Sequence, residues 1–212
     1  MTDVLFINPA SSKEVYQNLS EEYSAIGTPY WALLLAESCR SKGYKVKIID
    51  VLAEKLDDDT FVKRVFDIGP KLVVFCVYGE NVNGGTAYME GAVRLSKLLK
   101  KSRFIHPHAP ISFVGSYIQA LPDKVLVDED SIDIVFTSEG VYSLWEILKL
   151  SRGEIWNINE LQKIKGIGYR KNHNTNELPI LTEPQQIVPQ ERMDIDLPGY
   201  AWDLLPYKEK PF

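Results

Sequence analysis

Short apolar runs alternate along the chain with stretches of helical spacing. The apolar runs predict β-strands over residues 4–8, 45–50, 72–77, 111–114 and 132–136. Apolar positions three and four apart predict helices over residues 30–42, 58–67, 87–101, 121–127 and 141–151. Strands that alternate with helices across short connections favour a parallel sheet with right-handed crossovers. We therefore predict an α/β fold with a doubly wound, five-stranded parallel sheet, flavodoxin-like or Rossmann-like, in the order 2-1-3-4-5.

The first predicted helix has a recognisable start and end. Pro29 lies near its start, and Gly43 lies just past its end. Four of its residues are spaced to share one face, namely Trp31, Leu34, Leu35 and Ser38. This is the spacing of an amphipathic helix.

The pattern changes in the later part of the chain. Residues 165–171 alternate like a strand, residues 172–176 have the composition of a turn, and residues 177–182 can form a return strand. These residues predict a small β-hairpin. We therefore separate an α/β domain, residues 1–153, from an appendage of helix and hairpin, residues 154–182.

The last part of the chain, residues 183–212, has the composition of a linker. It contains five prolines, at positions 184, 189, 198, 206 and 211, which favour an extended connector. It also contains Tyr200, Trp202, Leu204 and Leu205. Because these side chains are large and apolar, we expect the linker to pack either on this domain or on a following one.

The strongest local signal lies in Ile-Ser-Phe-Val-Gly-Ser-Tyr-Ile-Gln-Ala-Leu-Pro-Asp (111–123). The apolar strand ends on Gly115, a short polar loop follows, and Pro122 with Asp123 marks the start of a helix. In a parallel sheet such a turn lies at the carboxyl edge, where ligands bind. We expect the missing Cβ of Gly115 to let a flat ligand approach the backbone.

The composition limits the classes of function. The 212 residues carry a net charge of −5, with a pI of about 5.3, so a nucleic-acid partner is not expected. No apolar run has the length of a membrane span, and the chain opens without a signal-peptide pattern. Cys39 and Cys76 fall in core patterns, as in proteins of a reducing compartment. We expect a cytoplasmic protein with no membrane partner.

The sequence lacks the motifs of several common cofactor and metal sites. Neither G-x-x-x-x-G-K-[ST] nor G-x-G-x-x-G occurs, so a nicotinamide or ATP site of the usual kind is not expected. His106 and His108 are flanked by prolines and are interpreted as loop residues, since no further metal ligand joins them. Without CxxC or CxxxCxxC this segment cannot hold an iron–sulfur cluster. The third strand is not followed by an aspartate that could be phosphorylated.

Small, polar and aromatic residues remain at the predicted carboxyl edge of the sheet. The candidate cofactor-binding residues are Asn8, Pro9, Tyr78, Gly79, Gly115, Ser116, Tyr117, Glu139 and Gly140. An edge of this composition suits a broad, flat and largely apolar ligand with amides on its rim.

Four segments in this order resemble the amino-terminal cobalamin (B12)-binding domain of B12-dependent radical SAM enzymes. They are Val-Leu-Phe-Ile-Asn-Pro (4–9), Gly-Tyr-Lys-Val-Lys-Ile-Ile-Asp (43–50), Phe-Val-Gly-Ser-Tyr-Ile-Gln-Ala-Leu-Pro (113–122) and Asp-Ile-Val-Phe-Thr-Ser-Glu-Gly (133–140). Ile-Lys-Gly-Ile-Gly-Tyr-Arg (164–170) and Pro-Gly-Tyr-Ala-Trp-Asp-Leu-Leu-Pro (198–206) are similar to the segment that joins this domain to the radical SAM barrel.

The resemblance implies a module that binds cobalamin and presents it to a radical SAM domain in cis or in trans. That partner would carry the [4Fe–4S] cluster and SAM and perform methyl transfer or a radical rearrangement. Residues 183–212 would be the linker to it. The module itself would position and bury the cofactor rather than catalyse.

The chain departs from the family at one informative position. Tyr117 stands where the family's loop after the fourth strand has a histidine, and the D-x-H-x-x-G motif of other cobalamin domains is absent. The resemblance therefore implies cobalamin with its dimethylbenzimidazole tail detached and buried, and with no histidine ligand to cobalt. Tyr117 either covers the lower face of the corrin or packs under the edge of the sheet.

Two other functions stay open. The same fold with an empty edge would serve as a structural or docking domain, which could use the aromatic linker. A flavodoxin-like domain could instead bind another small molecule such as flavin. The colour of the protein with its bound ligand distinguishes the three functions, because bound cobalamin is red, bound flavin is yellow and a structural domain without a cofactor is colourless.

Overall fold

The computed structural model of the protein describes residues 2–9, 27–78, 82–102, 109–170 and 178–206. Gly79, His106, His108 and the turn predicted over residues 172–176 lie outside these ranges. Among the described residues, none of the helices combines the length and the apolar character needed to cross a bilayer. The cytoplasmic location stays a prediction.

One mixed sheet forms the centre of the fold. Its strands are β1 (Val4–Asn8), β2 (Val46–Asp50), β3 (Leu72–Cys76), β4 (Ile111–Val114), β5 (Ile134–Phe136), β6 (Ile167–Tyr169) and β7 (Ile180–Leu181). They stand in the order β2-β1-β3-β4-β5-β6-β7. Strands β1 to β5 are parallel and have the predicted order, whereas β6 and β7 are antiparallel.

The sheet described here therefore has seven strands rather than the predicted five. The predicted hairpin joins the sheet because β6 pairs along β5. A Cβ on Gly168 would lie 2.9 Å from Val135 Cγ2 and 2.6 Å from Leu181 Cδ2, so a larger residue here would have to displace those side chains. The domain boundaries at residues 153 and 182 stay a prediction.

Eight α-helices occur in the described ranges. They are α1 (Tyr30–Ser41), α2 (Asp58–Ile68), α3 (Val82–Ser102), α4 (Ser116–Ala120), α5 (Pro122–Asp128), α6 (Val141–Lys149), α7 (Ile158–Leu161) and α8 (Met193–Asp196). Helix α4 corrects the prediction of a polar loop between Gly115 and Pro122. Its five residues are too few to show a helical period, but the Gln119 amide donates to the Gly115 carbonyl at 2.9 Å and Ile118 is fully buried.

Helices cover both faces of the sheet, as the doubly wound prediction requires. Alternate strand residues point to opposite faces, so Val4 and Phe6 pack with α1 and α6, whereas Leu5 and Ile7 pack with α2 and α3. Both faces of β1, β3, β4 and β5 are buried, which explains their nearly continuous apolar sequences.

The described part of the predicted linker packs on this domain. Ala201 and Leu205 are buried in the core on the α1 side of the sheet. The Ala201 amide donates to the Leu33 carbonyl at 3.2 Å. Residues 183–206, called the tail below, therefore run over α1 and α6 instead of extending away from the domain.

Candidate functional site

The carboxyl edge of the parallel strands collects polar and aromatic groups. Asn8 is the last residue of β1 and is buried, and Tyr78 follows β3 by two residues. Gly115 follows β4 directly, and Ser138 follows β5 by two residues. Parallel strands end at the same edge of a sheet, which is the usual place for a ligand in this class of fold.

A cavity of about 130 Å³ opens at this edge beside the start of α1. This edge cavity is lined by Asn8, Thr28, Pro29, Tyr30, Trp31, Ala32, Cys76, Tyr78 and Tyr88. The structure thus brings Asn8 and Tyr78 together, as predicted from the sequence. It adds Tyr30 and Trp31, which the sequence analysis did not assign to the site.

Trp31 and Tyr78 form an aromatic platform in the edge cavity. Their rings stack with centroids 4.4 Å apart and planes 20° apart. This corrects the predicted shared face of α1, because Leu35 and Ser38 are buried whereas Trp31 is 39% exposed and Leu34 is half-buried. Trp31 lies in the first turn of α1, where the helix leaves the edge of the sheet, so its ring reaches Tyr78 rather than the core.

A hydrogen-bond bridge holds the platform in place. Gln119 Nε2 donates to the Tyr78 hydroxyl oxygen and to the Ser138 carbonyl, each at 2.9 Å. Burial raises the pKa of Tyr78 far above its ordinary value, and nearby Cys76 and Glu139 add to the effect. The Tyr78 phenol is therefore neutral at physiological pH and presents an uncharged aromatic surface.

Gly115 lies against the backbone that leaves β3. A Cβ at this residue would lie 2.0 Å from the Val77 carbonyl oxygen. The Val77 amide also donates to the Val114 carbonyl at 2.7 Å. The space on the Cβ side of Gly115 is thus filled by the backbone that leaves β3, and the role of Gly115 as a cofactor contact stays a prediction.

Tyr117 lies away from the edge cavity. It lines a second cavity, of about 420 Å³, between α3 and α5. This side cavity is lined by Met89, Glu90, Val93, Arg94, Lys97, Tyr117, Lys124, Val125, Asp128 and Glu129. Ser116, one residue before Tyr117, is exposed. The structure therefore separates Tyr117 from Asn8 and Tyr78, with which the sequence analysis had grouped it.

The rim of the side cavity is charged, and four of its charged side chains form two ion pairs. Lys97 Nζ lies 2.8 Å from Glu129 Oε2, and Lys124 Nζ lies 2.5 Å from Asp128 Oδ2. Met89 and Val125 are buried in the apolar core below it. An uncharged, flat group suits such a cavity better than an ion, because it leaves these ion pairs intact.

Glu139 and Gly140 support the edge without lining the edge cavity. Glu139 Oε1 accepts a hydrogen bond of 2.5 Å from the Val188 amide, which ties the tail to the loop after β5. Gly140 has a φ of 86° and precedes α6. The left-handed conformation explains the glycine at this position.

Tyr30, Trp31 and Gln119 were not predicted as site residues from the sequence. One signal was available for the first two, because they follow Pro29 in the first turn of a helix that starts at the carboxyl edge. Nothing local marked Gln119, whose partner Tyr78 is 41 positions away in the chain. Pro9 is buried beside Asn8, and Gly79 lies outside the described residues.

The described residues contain groups that could hold the implied cofactor without a metal ligand. In the described ranges, no three His, Cys, Asp or Glu side chains are grouped to hold a metal ion. All three histidines of the chain lie outside these ranges. Ser138 Oγ is buried and has no hydrogen-bond partner among the described residues, so a ligand amide could satisfy it. With the neutral platform and the apolar side cavity, these residues fit a flat group with an amide rim, such as cobalamin.

Comparison with known proteins gives the fold class. No family model matches the chain, and no curated protein matches it. Among solved structures it resembles the radical S-adenosylmethionine methyltransferase TsrM from Kitasatospora setae with cobalamin and a [4Fe-4S] cluster bound. The TM-score is 0.60 at 16% identity over 90% of this chain and 30% of that chain.

Two further solved structures have the same fold. TsrM with its tryptophan substrate and a SAM analogue matches with a TM-score of 0.57 at 18% identity, over 88% of this chain and 31% of that chain. The apo, cobalamin-dependent S-adenosylmethionine radical enzyme OxsB matches with a TM-score of 0.59 at 14% identity, over 96% of this chain and 24% of that chain.

These matches confirm the predicted resemblance at the level of the fold. The chain has an α/β fold similar to that of cobalamin-binding domains, and its structural neighbours are cobalamin-dependent radical SAM enzymes. It spans about a quarter to a third of the length of those neighbours. Sequence identities below 20% support a shared fold but not a shared ligand. The ligand of this chain has to be inferred from its own residues.

Proposed function

We propose that this chain is the cobalamin-binding module of a B12-dependent radical SAM enzyme. The observation that carries the proposal is the aromatic platform of Trp31 and Tyr78, which Gln119 holds at the carboxyl edge beside Asn8. Its fold neighbours support the proposal, because one of them was solved with cobalamin bound. Bound cobalamin would supply a cobalt centre able to carry a methyl group or to take part in radical chemistry.

The residues of the edge would hold the corrin ring by packing and by neutral hydrogen bonds. The Trp31–Tyr78 platform offers a flat, uncharged surface. Asn8 offers an amide, and Ser138 offers a hydroxyl that lacks a partner within the described part of the chain. Neutral donors and acceptors of this kind match the amide rim of a corrin and require no histidine ligand to cobalt.

The side cavity is the proposed place for the detached dimethylbenzimidazole tail. It is larger than the edge cavity, and Tyr117, three residues beyond the end of β4, lines it. Its volume falls within the range typical of small-molecule sites, about 300–1,000 Å³. In this arrangement the ring of Tyr117 contacts the dimethylbenzimidazole group of the cofactor rather than the lower face of the corrin.

The chemistry of the parent protein would require a partner domain. We propose that a radical SAM domain, in cis or in trans, supplies the [4Fe–4S] cluster and SAM, and that the reaction is methyl transfer or a radical rearrangement. The greater length of the structural neighbours supports a partner in cis. The described residues would then bind and orient the cofactor and shield it from water.

The first test is a visible absorption spectrum of the purified chain after incubation with hydroxocobalamin and desalting. The proposal requires retained cobalamin at close to one equivalent, with a spectrum shifted towards the form with a detached tail. The same procedure with riboflavin-derived cofactors is the control, since a retained yellow chromophore would favour the flavodoxin-like alternative. A colourless protein would contradict the proposal.

A structural or docking domain is the second candidate function. The specific observation in its favour is the size of the edge cavity, about 130 Å³, which is below the roughly 300 Å³ of a typical small-molecule pocket. The backbone over Gly115 also fills space that a ligand could have used. The colourless outcome of the same experiment would favour this function.

A further inference from the structure

Three exposed aromatic side chains form a cluster beside the edge cavity. Tyr30 is 53% exposed, Tyr200 is 43% exposed and Trp202 is 50% exposed. Their ring centroids are 5.6 to 6.3 Å apart. We call this cluster the aromatic wall. Large apolar side chains that are exposed together mark a surface that binds something.

The aromatic wall is continuous with the candidate cofactor site. Tyr30 belongs to the wall and also lines the edge cavity, where its neighbour Trp31 stacks on Tyr78. Trp202 lies 6.3 Å from Tyr30, centroid to centroid, with the ring planes at 88°. A ligand that rests on the Trp31–Tyr78 platform and extends out of the edge cavity past Tyr30 therefore meets Tyr200 and Trp202 of the tail.

The tail holds its two wall residues in a fixed position. Ala201, between Tyr200 and Trp202, is buried and donates its amide to the Leu33 carbonyl. Asp203 accepts a hydrogen bond from Arg40 at 2.6 Å. A surface that is already ordered loses little entropy when a ligand binds.

The chemistry of the wall indicates what it binds. Tyr30 packs edge to face with Tyr200 and with Trp202, and the Tyr200 and Trp202 rings are tilted by 47°. The cluster therefore offers both ring faces and ring edges to a ligand. The nearest described carboxylate in the tail, Asp203, is already paired with Arg40. Such a surface suits the apolar rim of a flat ligand better than it suits an ion.

We infer that the aromatic wall is part of the cofactor site, with Tyr30, Tyr200 and Trp202 packing against the rim of the bound corrin. The inference rests on the proposed function and extends it, because it makes the tail a component of the site rather than only a connector. The small edge cavity then forms one corner of a larger, open binding surface.

The test uses the full chain, with hydroxocobalamin as the probe, and compares two exposed tryptophans. Trp202→Ala should weaken binding by about tenfold through the loss of one aromatic contact, and Trp202→Phe should restore most of it. Trp156→Ala is the matched control, because Trp156 is 37% exposed and lines a different cavity with Lys100 and Asp133. Its affinity should stay at the wild-type value.

A footprint on the wild-type chain tests the inference without any variant. N-bromosuccinimide oxidises exposed indoles, and peptide mass spectrometry resolves Trp202 from Trp156. Bound cobalamin should protect Trp202 and leave the oxidation of Trp156 unchanged. Because both tryptophans are compared in the same wild-type protein, the result does not depend on whether a variant folds.

The outcomes separate this inference from the proposed function. If the wild-type chain retains cobalamin while Trp202→Ala binds equally well and Trp202 is not protected, the wall is overturned as a cofactor contact and becomes a candidate protein contact. If the wild-type chain retains no cobalamin, the proposed function fails and this inference fails with it.

Discussion

At the scale of single residues, the site depends on one glutamine. Gln119 uses its Nε2 group to join the Tyr78 hydroxyl oxygen to the Ser138 carbonyl. Gln119 lies in α4, the helix that follows β4, whereas Tyr78 and Ser138 lie two residues after β3 and β5, so one amide connects three strand ends. Half-buried polar groups linked in this way set the position of the ring that Gln119 contacts.

We predict that Gln119→Leu lowers the free energy of unfolding by about 1–3 kcal/mol, because the Tyr78 hydroxyl and the Ser138 carbonyl lose their donor. Urea denaturation of both proteins measures the difference. Gln186→Leu, at an exposed residue of the tail, is the control and should change stability little. Equal stability of Gln119→Leu and wild type would show that water replaces the amide.

Gly115 is a second residue whose role is decided by its immediate contact. The Val77 carbonyl oxygen occupies the place of its Cβ, at 2.0 Å. Gly115→Ala should therefore destabilise the protein by roughly 3 kcal/mol, because backbone atoms must move apart. Thermal unfolding measures the loss. Gly153→Ala is the matched control, since a Cβ there meets nothing within 4 Å, and a similar loss in both variants would contradict this explanation.

At the scale of elements, Asp196 fastens the tail to two helices. Its carboxylate is fully buried and accepts hydrogen bonds from Arg192, from Tyr142 on α6 and from Lys42 at the end of α1. Its backbone carbonyl accepts from the Ser38 hydroxyl at 2.6 Å. Four donors from three parts of the chain therefore converge on one residue of α8.

The carboxylate of Asp196 makes the docking of the tail depend on pH. Hydrogen bonds from Arg192 hold its pKa well below the ordinary value of 3.8, with further hydrogen bonds from Tyr142 and Lys42. A folded-state pKa below the unfolded one contributes stability that is complete above the unfolded pKa and is lost as the pH falls towards the folded pKa. The stabilisation should thus decline as the pH falls below about 4.

We predict that Asp196→Asn lowers the free energy of unfolding by about 2 kcal/mol near neutral pH and loses less stability than wild type on acidification. Urea titrations at about pH 6 and about pH 3 measure both effects. Asp194→Asn, an exposed residue of the same helix, should behave like wild type. An unchanged pH dependence in Asp196→Asn would exclude this carboxylate as the cause.

At the scale of the whole molecule, the sheet has a protected centre and an open edge. Strands β1 and β3 lie between other strands and are buried on both faces. Strand β7 has two residues, stands at the end of the sheet and leaves Leu181 44% exposed. Local stability follows the burial and pairing of each strand.

Hydrogen exchange should therefore be slowest in β1 and β3 and fastest, among the strands, in β7. Mass spectrometry of peptides from the deuterated protein measures this order. Bound hydroxocobalamin should slow exchange further at the ends of β1 and β3 if the proposed site is correct, while β7 stays unchanged. Exchange in β7 as slow as in β1 would contradict the described edge.

Much of the fold could be predicted because its signals are local. β1 and β4 have the predicted limits, and the order of the five parallel strands follows from apolar runs, helical spacing and chain topology. The addition of β6 and β7 to the same sheet was missed, since alternation predicts a hairpin but does not name the strand that it joins. The candidate residues at the strand ends were found for the same local reason, namely their position after apolar runs.

The amino-acid sequence by itself determined the alternation of strands and helices, the carboxyl edge and the residues that stand there. Only the tertiary structure decided which of them meet: Trp31 contacts Tyr78, Tyr117 lies in a separate cavity, and the Glu139 carboxylate binds the tail. The physical reason is separation along the chain. Contacts such as that between Ser38 and Asp196, 158 positions apart, depend on how whole layers pack and leave no periodic trace in either segment.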